Sequence, residues 1–200
     1  MNRYIQDRLP IFTFVIIVFI LGISFGAVAV KTVDYSTKEA VFSYFSSFMQ
    51  GFRQIEYKNT GLLAESIKFN LMNIFIIWAF GLSMILMPLI TILIFFKGFV
   101  LGFTVGFLIS EYSFRGILIA LAAVFPQNIL VMPVYIIAGV LSIYISINIF
   151  KYYRGKLAIN GEYFLKYSLE MLVMAVILVL SSLIEAYLSP LLLNLVSRLF

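Results

Sequence analysis

Glu185 is the residue in this sequence best placed to do chemistry. It lies in Ser181-Ser182-Leu183-Ile184-Glu185-Ala186-Tyr187-Leu188-Ser189-Pro190, close to the end of a long apolar run. An ionisable group inside such a run is costly and normally faces a bundle interior or a wet cavity. Asn70 and Asn73 open another apolar run, and Gln127 and Asn128 follow Pro126 at the end of a third. With the chain threaded as below, all five polar residues come to the outer side of the bundle. There the amides can donate to the Glu185 carboxylate, with Arg115 as a charge partner. Burial would instead leave the carboxyl neutral, and a position near the headgroups would leave it solvated. The sequence keeps these readings open.

Other chemistry is narrowed by what the sequence lacks. It contains no histidine and no cysteine. The Ser-His and Cys-His couples, the HExxH zinc site, thiolate metal sites and disulfides therefore have no residues to build them. The aspartates are Asp7 and Asp34, both outside the apolar runs, and no lysine sits mid-run beside a serine. A non-enzymatic protein without metal or cofactor is the expectation. The formal net charge of +5 suits a neighbour of anionic lipid. No basic run interleaved with aromatics suggests nucleic acid, so the bilayer is the expected partner.

The elements that position these residues follow from hydropathy. A hydrophobic fraction of 63% and a mean hydropathy of +1.09 belong to a polytopic membrane protein. The fold expected is an all-α polytopic integral membrane protein, one membrane domain over residues 1–200 with about five transmembrane helices. Arg3 and Arg8 precede a run from Pro10 to Val30, which reads as an uncleaved first span with its N-terminus cytoplasmic. Residues 31–68 form the main polar connection. Within it Phe45, Phe48, Phe52 and Ile55 recur at helical spacing, which predicts an outer amphipathic helix around 39–56, lying in the interface or docking a partner. A second span is expected from Phe69 to Phe96, kinked at Pro88 and closed by Lys97.

Next come Gly98, Gly102 and Gly106, four apart and so on one helix face. Such a ladder allows close backbone approach, either to another helix of this chain, where Gly22 and Gly26 offer a matching face, or to a second copy in a homodimer. Alanine at Gly102 should be tolerated on this reading and leucine should not. The apolar run after Lys97 is about 20 Å as a helix, too short for a core of about 30 Å. The polar knot at Glu111–Arg115 and the break at Pro126 therefore predict a broken or re-entrant segment around 98–128. A span from Ile129 to Phe150, the basic aromatic cluster Lys151–Lys156 and a last span from Ser168 to Ser189 complete the chain.

Phe96-Lys97-Gly98-Phe99-Val100-Leu101-Gly102, Phe125-Pro126-Gln127-Asn128 leading to Pro133, and Leu183-Ile184-Glu185-Ala186 leading to Pro190 together resemble the stage II sporulation protein M family. Relatives often carry Pro-His-Gly where this chain has Pro126-Gln127-Asn128, so any histidine chemistry of theirs is absent here. The resemblance implies a scaffold of forespore engulfment in the cell membrane. It would recruit stage II sporulation proteins D and P, cell-wall hydrolytic partners, to the sporulation septum. The alternative is a permease-like subunit of an ABC-2-type exporter, with 151–166 as its contact for an ATPase.

Overall fold

One helix supplies the axis around which the others pack. The computed structural model describes residues 8–34, 36, 39–40, 43, 59–155, 161–188 and 191–192. Its elements are α1 (Leu9–Thr32), α2 (Asn59–Gly81), α3 (Met87–Tyr112), α4 (Phe114–Ala123), α5 (Phe125–Tyr153) and α6 (Gly161–Leu183). A π-helical turn, Ile184–Leu188, continues α6. Five stretches are long and apolar enough to cross a membrane: Leu9–Thr32, Leu63–Gly81, Met87–Tyr112, Phe125–Tyr153 and Gly161–Leu188. The all-α, five-span membrane architecture is therefore as the hydropathy requires.

Helix α5 touches α1, α2, α3, α4 and α6. Its buried residues, among them Tyr135, Ala138, Ser142, Ile143, Ile145 and Ser146, point to every side. The outer helices do the reverse. Phe14, Ile17 and Phe25 of α1, Phe75 of α2 and Leu172 and Val176 of α6 are exposed. A continuous exposed apolar surface of this kind belongs against lipid.

The most extensive interface joins α1 and α3. Gly22 faces the Phe95 backbone and Gly26 the Phe99 backbone, while Gly98, Gly102 and Gly106 face Phe19, Ile23 and Ala27. The paired positions rise together along both helices, so the two run parallel. The partner of the glycine ladder is thus a helix of the same chain. Beside this seam Phe95, Phe99, Phe103 and Phe107 stack in turn, with ring centroids 6.2–6.4 Å apart.

The span boundaries differ from those read off hydropathy. Phe69 to Phe96 is not one kinked helix: α2 ends at Gly81 and α3 begins at Met87, with Pro88 in its first turn. Proline belongs there because its missing N–H has no acceptor to serve in a first turn. The turn between is apolar, Leu82-Ser83-Met84-Ile85-Leu86, so hydropathy cannot mark it. Leu82 and Ser83 donate to the Ala79 and Phe80 carbonyls, and from α5 Ser146 Oγ donates to the Gly81 carbonyl at 2.7 Å. Such groups must find partners at the edge of a hydrocarbon layer.

Two further corrections follow. Gly98–Glu111 lies within the unbroken α3, so the break in the 98–128 region falls only at Ser113 and Val124. Ser113 adopts φ 51°, and α4 folds back on α3 with Gly116 pressed against the Leu108 carbonyl. Pro126, Gln127 and Asn128 do not end a segment; they form the first turn of α5. Of the amphipathic helix expected around 39–56 only residues 39, 40 and 43 are described; Phe45, Phe48, Phe52 and Ile55 lie outside the described residues.

The seam also overturns the tolerance expected for alanine at Gly102. A Cβ there would meet the Ile23 carbonyl oxygen well inside contact distance and the Ile23 Cα at 2.8 Å. At Gly106 the nearest atom, the Ala27 Cα, is 3.2 Å away. Gly102→Ala should therefore cost about 1–3 kcal/mol of stability, and Gly106→Ala less. Thermal unfolding in detergent measures this, and equal melting temperatures for the two variants would contradict the seam.

Candidate functional site

Polar residues packed between α2, α3, α5 and the end of α6 form the candidate site; Asn70, Tyr135 and Ser182 are buried, and Ser66, Lys97 and Glu185 half-buried. Ser66 and Asn70 lie one turn apart on α2 and share a face. Ser182 and Glu185 are three apart where α6 passes into the π-helical turn. Insertions of this kind in a helix often re-aim side chains at functional positions.

The contacts form a chain. The Ser66 hydroxyl donates to Glu185 Oε2. Asn70 Nδ2 donates to Ser182 Oγ at 3.0 Å and lies 3.5 Å from Ser66 Oγ. The Tyr135 hydroxyl donates to Asn70 Oδ1 at 3.1 Å. Ser182 Oγ in turn donates to the Leu178 carbonyl at 3.1 Å. Asn70, Tyr135 and Ser182 are all buried, and each has its hydrogen bonds met within this set.

Lys97 completes the site. Its Nζ lies 4.6 Å from the Phe69 ring centroid and 4.3 Å from that of Tyr135. An ammonium over aromatic faces is attracted by their quadrupoles, more so where water is scarce. The Glu185 carboxylate acts on both Lys97 and Tyr135 through space, and among the described residues it makes no direct ion pair with Lys97. Lys97 was expected to close a span at the membrane boundary. In α3 it is instead about 15 Å from Met87, and Phe69 is about 18 Å from Gly81. In a core of about 30 Å that is mid-depth.

The amides expected around Glu185 are mostly elsewhere. Asn73 Nδ2 donates to the Phe69 carbonyl of its own helix at 2.7 Å. Asn128 Nδ2 donates to the Val124 carbonyl at 2.7 Å, bridging α4 and α5. Gln127 contributes only its backbone carbonyl, which accepts from Ser181 at 3.2 Å. Arg115 is exposed in the first turn of α4. Of the expected residues the structure brings together Glu185 and Asn70. Ser66, Lys97, Tyr135 and Ser182 were missed. The spacing Ser66-x3-Asn70 was a usable signal; Lys97 was hidden by the misplaced boundary.

The arrangement holds a cation at mid-depth and an acid nearer the end of the bundle away from Arg8, linked by hydroxyl and amide groups from three helices. Each charge lowers the cost of keeping the other out of water. Among the described residues no group of three or more His, Asp or Glu gathers.

The family model described as Stage II sporulation protein M matches residues 15–190, which run from α1 to beyond the π-helical turn. Neither a curated protein nor a solved structure matches the chain.

Removing either charge alone strands the other at membrane depth. Lys97→Met and Glu185→Leu should each lower the melting temperature in detergent, and Glu185→Gln less than Glu185→Leu, because glutamine keeps an acceptor for Ser66. That hydrogen bond alone contributes about 0.6 kcal/mol, up to about 1.7. The double variant Lys97→Met with Glu185→Gln should lose less than the sum of its parts. Additive losses would show that the two charges do not interact.

Proposed function

The chain belongs to the stage II sporulation protein M family, and from that premise we propose that it is a non-enzymatic scaffold of engulfment. As a multi-pass membrane protein of sporulation it would gather the cell-wall hydrolytic proteins of the septum, stage II sporulation proteins D and P. The observation that carries this reading is the extent of the match, which takes in most of the first span and all of the other four. A scaffold needs a rigid membrane body, and a backbone-to-backbone seam beside a hydrogen-bonded polar centre suits that role.

Orientation is part of the proposal. Arg8, Lys151, Arg154 and Lys166 cluster at the end where α1 begins and α5 meets α6. Short basic connections favour the cytoplasmic side. This puts the N-terminus inside and the long connection between α1 and α2 on the side of the cell wall, where hydrolytic partners act. The apolar stripe Phe45, Phe48, Phe52 and Ile55 of that connection is the proposed docking element.

Phe45→Asp with Phe52→Asp should weaken co-purification of stage II sporulation proteins D and P and impair engulfment, while the spans insert normally because they carry the hydrophobic signal. Normal recruitment by the double variant would remove the docking role. Co-purification of a cytoplasmic ATPase through residues 151–166, without hydrolases, would favour an ABC-2-type exporter subunit instead.

A further inference from the structure

A second polar region lies at the opposite end of the bundle from Glu185. Arg8 immediately precedes α1 and lies with its guanidinium 4.7 Å from the Tyr144 ring centroid. Its Nη2 is 3.6 Å from Glu170 Oε2. These groups edge a cavity of about 130 Å³ between α5 and α6, lined also by Lys166, Tyr163 and Tyr167. One water needs only about 10–15 Å³ of such space, so the cavity is large for a structural water.

Its wall is largely apolar, with Leu141, Ile145 and tyrosine rings, and its charged groups are mainly basic. Two cations, Arg8 and Lys166, stand with one carboxylate, Glu170, among its lining residues. A guanidinium suits phosphate oxygens by geometry as well as charge. We propose that this cavity takes the phosphate of an anionic phospholipid headgroup from the leaflet at the Arg8 end.

Depth is what selects lipid among phosphate compounds. Arg8 stands at the edge of a membrane-length helix, so the cavity beside it lies at the hydrocarbon boundary. Beyond that level α5 continues for about 13 Å to Tyr153, and α6 begins about the same distance out, at Gly161. The two helices therefore rise through the headgroup layer, where α5 exposes Lys151, Tyr152 and Tyr153. Basic pockets between spans at such a boundary suit anionic headgroups, and the aromatic residues suit the interface. The inference concerns the membrane bundle alone and does not depend on the scaffold role.

Native mass spectrometry of the purified full-length chain, given phosphatidylglycerol and phosphatidylcholine in equal amounts, tests it. Retention of phosphatidylglycerol over phosphatidylcholine is expected. Arg8→Gln with Lys166→Gln should weaken it roughly 30-fold, the share of two basic residues near an anionic surface. Glu170→Gln, which leaves both cations and removes the competing carboxylate, should strengthen it; this gain cannot arise from misfolding. Lys151→Gln, on the exposed rim, should change retention little. Equal retention of the two lipids, a double variant that binds as the wild type does, or no gain from Glu170→Gln would overturn the site. Displacement of the lipid by equimolar glycerol 3-phosphate would overturn the lipid assignment in favour of a soluble phosphate ester.

Discussion

Apolar helices surrounded by lipid gain nothing from the hydrophobic effect by meeting one another, so something else must hold a bundle of them together. Here it is backbone contact along α1 and α3. Five glycines, Gly22 and Gly26 on one helix and Gly98, Gly102 and Gly106 on the other, let the two backbones approach as side chains would forbid. The seam fixes α3, and α3 in turn fixes Lys97 against Phe69 and Tyr135. The turn at Ser113, α4 and the start of α5 all follow from where α3 ends.

Polar contacts supply the remaining cohesion, in two layers across α5. Away from the Arg8 end, Ser66, Asn70, Tyr135, Ser182 and Glu185 tie α2 to α5 and α6. Toward the Arg8 end, Tyr167 bonds Ser142 at 2.9 Å and donates to the Trp78 carbonyl at 2.9 Å, and Trp78 Nε1 donates to Ser168 at 3.2 Å. Serine recurs at both levels because it is small enough to sit at a helix interface and still carries a donor. The Gly81 approach to Ser142 and Tyr167 adds a second place where backbone nears a neighbouring helix.

Much of this was legible in the residues before any coordinates. The glycine ladder announced a close contact, the composition announced five spans, and Glu185 stood out as a group that needed partners. What escaped has a common cause. Residues 82–86 turn the chain without a polar residue beyond Ser83, so the run from Phe69 to Phe96 looked continuous and pushed Lys97 to a boundary. With Lys97 misplaced, its pairing with Tyr135 and its proximity to Glu185 could not be read. The amides failed for a different reason. Asn73 and Asn128 bond backbone carbonyls four residues earlier, a local choice always open to asparagine and one that sequence cannot rank against a tertiary partner.

The parallel α1–α3 seam within one chain is the claim on which the rest stands, and the absence of cysteine makes it directly accessible. Cysteines placed at Ala27 and Gly106, whose backbones are in contact, should form an intramolecular disulfide rapidly in native membranes. The product should run as a monomer of altered mobility. Cysteines at Ala27 and Val100 should not cross-link. A disulfide-linked dimer from the Ala27–Gly106 pair, or no bond at all under the same oxidation, would contradict the seam.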